Sequence, residues 1–216
     1  MQNFFNLSHF KGWDVCLLTS PHDLLELALF IARQNLSHHL DVNHEIVNQI
    51  YQEEIGYFSD SFVFVLLNPE RQIVASIRIM KWDQKIEIPM QRYFVLNNSD
   101  LLKQNYIYWH IGRLAVDKKQ RGNCFTIFKY LMGIASYFVC MDSRGCMLAE
   151  IDSRLFHTIN HLGMKLTELS DPVYFLGSES IAAYALRDSI MEYYLKCISE
   201  YDYSFIKKID KHGSLY

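Results

Sequence analysis

Nineteen residues constrain this chain more than any others: Tyr106–Cys124, YIYWHIGRLAVDKKQRGNC. Tyr106–Val116 is dense in Tyr, Trp, Ile, Leu and Val, with Gly112 as its one glycine. That is the composition of a strand buried in a sheet. Asp117–Asn123 is polar and basic and carries Gly122. An apolar run, FTIFKYLMGIASYF, follows and is long enough for a helix. The unit is strand, short cationic turn, helix. A helix N-terminus presents backbone N–H groups and a positive dipole end. With Lys118, Lys119 and Arg121 beside it, such a turn can hold a phosphate or pyrophosphate. The same residues would also serve as an ordinary solvated βα turn.

Strands and helices alternate around this unit. Asp14–Thr19 reads as a first strand, preceded by an aromatic arm over 1–13. Ser20-Pro21 opens a helix to about Gln34, with Ser20 as cap and Pro21 in the first turn. Asn43–Ile55 is helical, with Ile46, Val47, Ile50 and Tyr51 on one face. Glu53 and Glu54 close it and read as a solvated end or as site residues. Ser61–Leu67 and Gln72–Met80, split by Asn68-Pro69-Glu70-Arg71, predict a hairpin. Arg78 sits among apolar neighbours there, where an unpaired charge is costly, so it must face a cleft or pair with a carboxylate. Cys146–Asp152 predicts the next strand and Arg154–His161 a short helix. Val173–Leu176 and Ser180–Leu186 predict the last strands, Asp188–Ser199 a helix, and 200–216 a polar tail.

Composition narrows the partners. The 216 residues suit a single domain, half of them hydrophobic, which supplies a real core. A formal net charge of -3 argues against nucleic acid held by bulk charge. No apolar run approaches the roughly 20 residues of a membrane helix, and MQNFFNLSHFKGWD has no secretory pattern. The five scattered cysteines read as reduced thiols of a cytoplasmic protein, with neither disulfide framework nor zinc site. His38, His39 and His44 lack the spacing and carboxylate of a metal site.

Several of these segments carry a resemblance. Arg121-Gly122-Asn123-Cys124-Phe125-Thr126 resembles the acyl-CoA-binding turn of the GNAT superfamily of N-acetyltransferases, Arg/Gln-x-x-Gly-x-Gly/Ala, with Cys124 and Thr126 at the later small positions. Trp109-His110-Ile111-Gly112-Arg113-Leu114-Ala115-Val116 is similar to the Trp-Glu-x-Ser-Arg-Phe-Ala-Val strand of acyl-homoserine-lactone synthases. It resembles equally the Glu-x-x-Arg-Leu-Ala-Val strand of N-acyl amino acid synthases; His110 stands where both have Glu. Tyr51–Tyr57, Ile73–Ile79 and Ile88–Phe94 resemble further segments of these synthases in the same order, so the likeness covers roughly Val42 to Leu186. After Tyr57 only Asp60 remains of the aspartate pair that the lactone synthases tie to S-adenosylmethionine. Ile159 occupies the place of the tyrosine that often protonates the leaving thiolate, with His157, Thr158 and His161 nearby.

The resemblance implies an α/β acyl-CoA N-acyltransferase (GNAT-like) fold, a mixed central sheet flanked by helices. It implies acyl transfer to an amine, such as that of an amino acid, from coenzyme A or from the phosphopantetheine of an acyl carrier protein, without metal. Leu114, Ala115, Val116, Lys119, Arg121, Gly122 and Asn123 would hold the donor. His110 would be the general base, since an imidazole exchanges a proton near neutral pH. Arg78 and Arg113 would clamp an acceptor carboxylate as planar two-donor forks, with Glu53 and Glu54 at the acceptor site. A structural Arg113 would instead bridge to Glu150 or Asp152. A β-bulge at Gly112 would bring His110 and Arg113 to one side. A short-chain acetyltransferase, a homoserine-lactone synthase and a non-catalytic binding module on the same fold remain alternatives.

Overall fold

A computed structural model describes residues 4–35, 44–97, 99–175 and 178–209. The chain forms a mixed sheet of nine strands flanked by helices. It packs as two compact units. The first takes in Met1–Met80, Arg113–Leu131 and Tyr203–Tyr216, the second Lys81–Gly112 and Met132–Asp202.

In the first unit, β1 (Phe4–Phe10) and β2 (Trp13–Leu18) form an antiparallel hairpin. Its turn residues, Lys11 and Gly12, have φ of 46 and 93, the left-handed pair that a tight two-residue hairpin needs. The expected arm is therefore an outer strand over its described part. Ser20 accepts a hydrogen bond from the His22 N–H at 3.3 Å, and Pro21 starts a 3₁₀ turn into α1 (Leu24–Asn35). α2 (His44–Tyr57) buries Val47, Ile50, Glu54 and Tyr57, a three- and four-residue spacing that defines one helical face. β3 (Ser61–Leu67) and β4 (Ile73–Trp82) form the hairpin expected across Asn68–Arg71. Leu24, Leu27, Ile31, Val47, Ile50, Val63 and Val65 make the core between this sheet and its helices.

The C-terminal segment departs from the polar tail expected over 200–216. Tyr203, Phe205 and Ile206 are buried. Tyr203 stacks on Tyr130 with ring centroids 5.2 Å apart, and Phe10 stacks on the same ring at 3.8 Å. Aromatic pairs at these separations add to what area burial alone contributes.

The second unit holds the short helix α3 (Pro89–Tyr93) and the first half of β5 (Ile107–Val116). α4 (Cys124–Met141) is the crossover that lets β6 (Gly145–Asp152) run parallel to β5. α4 is long and apolar enough to cross a membrane by length and composition, which corrects the expectation that no apolar run approaches that length; 61% of it is buried, as in a core helix. Gly145 is fixed by space, because a Cβ there would meet the Val139 carbonyl oxygen at 2.0 Å. α5 (Ser153–His161) begins at Asp152, whose carboxylate accepts from the N–H groups of Arg154 and Leu155. Two short strands, β7 (Thr167–Glu168) and β8 (Val173–Phe175), lie antiparallel on β9 (Ser178–Leu186), which also pairs along all of β6 after Gly145. α6 (Arg187–Glu200) follows.

Candidate active site

In the first unit, four charged side chains form one cluster, with the buried carboxylate of Glu54 between two arginines. Glu54 Oε1 accepts from Arg78 Nη1 at 2.7 Å and from Arg113 Nε at 2.7 Å. The Arg78 and Glu54 side chains are 2% and 1% exposed. Arg113 Nη2 lies 3.1 Å from Glu53 Oε2 as an ion pair, without the alignment of a hydrogen bond. Arg113 and Glu53 are the less buried members, at 10% and 17% exposure, although Arg113 Nη2 is itself buried. The Arg78 guanidinium also lies 4.6 Å from the centroid of the Tyr57 ring, within cation–π range. Two cations against two anions keep the cluster balanced, which a buried charge requires. Burial alone would lower the pKa of Arg113; the charges of Glu54 and then Glu53 outweigh it and raise it.

The sequence did not single out Glu54 as the centre of this cluster. It falls four residues after Ile50 and seven after Val47, on the buried face of α2, and that periodicity was the available signal. The solvated helix end is thereby corrected. Arg78, expected to face a cleft or pair with a carboxylate, has a carboxylate partner in Glu54 through Nη1. Arg113 has φ 53, outside strand geometry, and its carbonyl accepts from Ser76 Oγ at 2.8 Å. The irregularity expected at Gly112 thus falls on Arg113, where a non-glycine left-handed residue stores strain.

In the second unit, His110 is fully buried. Its Nε2 lies 3.1 and 3.0 Å from the two carboxylate oxygens of Glu150. His110 is in register with Leu148, so Glu150 is its diagonal neighbour on the same face. Glu150 therefore pairs with His110, and Arg113 takes Glu53 and Glu54 instead of the Glu150 or Asp152 bridge expected of a structural role. Asp152 serves as the cap of α5.

The donor-binding expectation falls on a well-ordered turn. The Asp117 N–H bonds to the Val74 carbonyl at 2.8 Å, Gln120 N–H to the Asp117 carbonyl at 2.9 Å, and Asn123 N–H to the Gln120 carbonyl at 2.9 Å. Lys119 N–H donates to Asp117 Oδ1 at 3.0 Å. Lys118, Lys119, Arg121, Gly122 and Asn123 are exposed, and Leu114, Ala115 and Val116 are half-buried. Gly122 has φ 85, which glycine adopts without strain. Cys124, at the start of α4, points its thiol at the Gln120 carbonyl, 3.2 Å away.

The acid candidates near α5 are bound locally. Ile159 is buried, Thr158 Oγ1 donates to the Arg154 carbonyl at 3.0 Å, and His161 Nδ1 lies 2.7 Å from the His157 carbonyl. Among the described residues no group of His, Cys, Asp and Glu converges as a metal site; His38 and His39 lie outside them.

No protein-family model matches the sequence, and no curated protein does either. Solved structures are similar in fold. FeeM, an N-acyl amino acid synthase from uncultured soil microbes, superposes with a TM-score of 0.60 at 10% identity, over 81% of this chain and 89% of that one. BjaI, a CoA-dependent acyl-homoserine lactone synthase with SAM and isopentyl-CoA, gives 0.52 at 16% identity, over 82% of each chain. A GNAT-family acetyltransferase from Staphylococcus aureus Mu50 gives 0.50 at 14% identity, over 80% of this chain and 99% of that one. The chain thus has the mixed-sheet fold of the GNAT acyltransferases.

Proposed function

We propose that this protein is an N-acyltransferase that moves an acyl group from a thioester to an amine. The carrying observation is the break in β5. Its parallel ladder with β6 ends at Ile111↔Ala149, and two residues later Arg113 leaves strand geometry. Backbone groups of Leu114, Ala115 and Val116, which follow this irregularity, serve the amides of a pantetheine arm and the developing oxyanion. The turn Lys119–Asn123 then receives phosphate, through Arg121 and Lys119 side chains more than through backbone N–H groups already used within the turn.

The acceptor is an amine that bears a carboxylate, as an amino acid does. Arg113 is the less buried of the two arginines in its cluster, with a side chain 10% exposed and Glu53 beside it, though its Nη2 atom is itself buried. Glu54, itself held by Arg78, bonds Arg113 Nε, so the guanidinium is oriented before substrate arrives, and positioning of this kind lowers the barrier. The homoserine-lactone alternative is weaker, because Asp60 is exposed and bonded to Ser59 Oγ at 2.9 Å, with no second aspartate in Phe58–Ser61.

The test is product analysis by mass spectrometry. Purified protein is given acetyl, octanoyl and palmitoyl thioesters of coenzyme A and of acyl carrier protein, with mixed amino acids. An N-acyl amino acid from a long-chain donor supports this reading. Transfer from the acetyl donor alone would favour a short-chain acetyltransferase. Product that requires S-adenosylmethionine would favour a lactone synthase. Donor binding without transfer would leave a binding module.

A further inference from the structure

We propose that α6 is the contact surface of a homodimer, its outer face packing antiparallel on the same face of a second copy of this chain. The helix carries two apolar stripes. Ile190, Tyr193 and Cys197 are buried, on the side that packs against β6 and β9. Met191, Leu195 and Ile198 also recur at three- and four-residue spacing, and they form a second face of the helix. Met191 is half-buried, while Leu195 is 54% and Ile198 42% exposed. Single exposed apolar residues are ordinary, but a stripe of them along one helix marks a contact surface.

The stripe widens onto α4. Tyr194 meets Tyr137 edge to face, with ring centroids 6.2 Å apart, and both are half-buried. Arg187 Nε donates to the Cys140 carbonyl at 3.1 Å. That bond ties the start of α6 to the end of α4, where Met141 is 64% exposed. The patch lies wholly within the second unit.

Charge selects the occupant. Beside the stripe runs a row of exposed residues one turn apart, Glu192, Lys196 and Glu200, which alternate in sign. Glu192 and Lys196 pair at 2.8 Å. Asp188, one turn before Glu192, is paired with Arg187 at 3.0 Å. A uniformly acidic or uniformly basic partner would meet like charge as well as opposite charge along this row. A second copy in the reverse direction would not, because two-fold symmetry pairs residue i with j and j with i. Setting Met191 against Ile198 of the second copy also sets Tyr194 against its Leu195. The same alignment brings Glu192 level with Lys196 of that copy to within one residue's rise, about 1.5 Å. In an antiparallel pair the same flank of each helix meets its counterpart, so the contact forms twice. A parallel pair would put Glu192 level with Glu192. Apolar stripe and charge row thus agree on one alignment.

The experiment is sedimentation velocity of the full chain over a concentration series. Wild type should show the mass of two chains and dissociate on dilution. Leu195→Glu combined with Ile198→Glu should raise the dissociation constant at least about 30-fold, the scale of an interface hot spot, with an unchanged circular dichroism spectrum. Glu192→Lys alone and Lys196→Glu alone should each weaken self-association about ten-fold. Mixed in equal amounts, these two variants should dimerise again to within about two-fold of wild type. Each has lost the pair within its own helix, so recovery on mixing can come only from contacts across the interface. A wild type that stays monomeric at every concentration would overturn the proposal and leave the stripe to a different partner. So would a dimer untouched by the paired Glu substitutions, which would place the contact elsewhere, or charge variants that fail to recover on mixing.

Discussion

Glu54 makes the sharpest demand on stability. Arg78 is buried against it, and removing one partner of a buried pair leaves a charge with no compensation. Glu54→Ala should cost about 3–5 kcal/mol in urea unfolding. Glu53→Ala, at the accessible edge, should cost about 1 kcal/mol or less. Equal losses would mean that burial does not rank the two. The thiols give a second test. Burial pushes Cys16 and Cys140 up to about 11 and Cys146 up to about 12. In the unfolded chain thiols ionise from near their ordinary value of 9.0, while the folded chain keeps its protons. Their contribution is therefore full below pH 9 and is lost as pH rises toward the folded values. Unfolding midpoints should fall between pH 8 and 10.5, on the scale of that linkage, and fall less in Cys146→Ala. A parallel fall in the variant would assign the effect elsewhere. At this scale the sequence was half legible. The apolar setting of Arg78 required a cleft or a carboxylate, but Glu54 lies 24 residues away and Glu150 lies 40 from His110. No periodicity within one element specifies pairings between elements.

At the scale of elements, two glycines separate space from conformation. Gly145→Ala would drive a Cβ into the Val139 carbonyl, so its cost should reach or exceed the upper end of about 1–3 kcal/mol for overpacking. At Gly122 a Cβ meets nothing within 4 Å, but φ is 85. Gly122→Ala should cost only about 1–2 kcal/mol, the price of the left-handed conformation. The reverse order in thermal melts would contradict the geometry of both turns. For the donor turn, Arg121→Ala should weaken donor binding by about 1–3 kcal/mol, the range of a charge-assisted hydrogen bond. Wild-type affinity should fall as salt rises. Unchanged affinity across a salt titration would remove the phosphate role. The β3–β4 hairpin was legible because its turn chemistry is local. β7 was not, because two residues carry no period. The buried Tyr203, Phe205 and Ile206 were missed because their partners lie far along the chain, Tyr203 stacking on Tyr130; the strand in the N-terminal arm has a local partner in β2 across Lys11-Gly12, a turn signal that went unread.

For the whole molecule, the strand–turn–helix at Tyr106–Met141 was the part most readable in advance, and it runs through both compact units, which change over after Gly112 and after Leu131. Strand, cationic turn and crossover helix each follow from composition. The fold follows from their order among the other strands and is shared with acyltransferases at 10–16% identity. Fold alone does not fix chemistry; the proposed acyltransfer rests on the irregularity of β5 at Arg113 and the turn that follows it. The most direct measurement follows amide and free thiol together, in one reaction of purified protein with a long-chain acyl thioester and an amino acid. N-acyltransfer requires one thiol released for each amide formed, and both should disappear when the amino acid is left out. Thiol release that continues without the amine, with no amide formed, would mark a thioesterase and contradict N-acyltransfer.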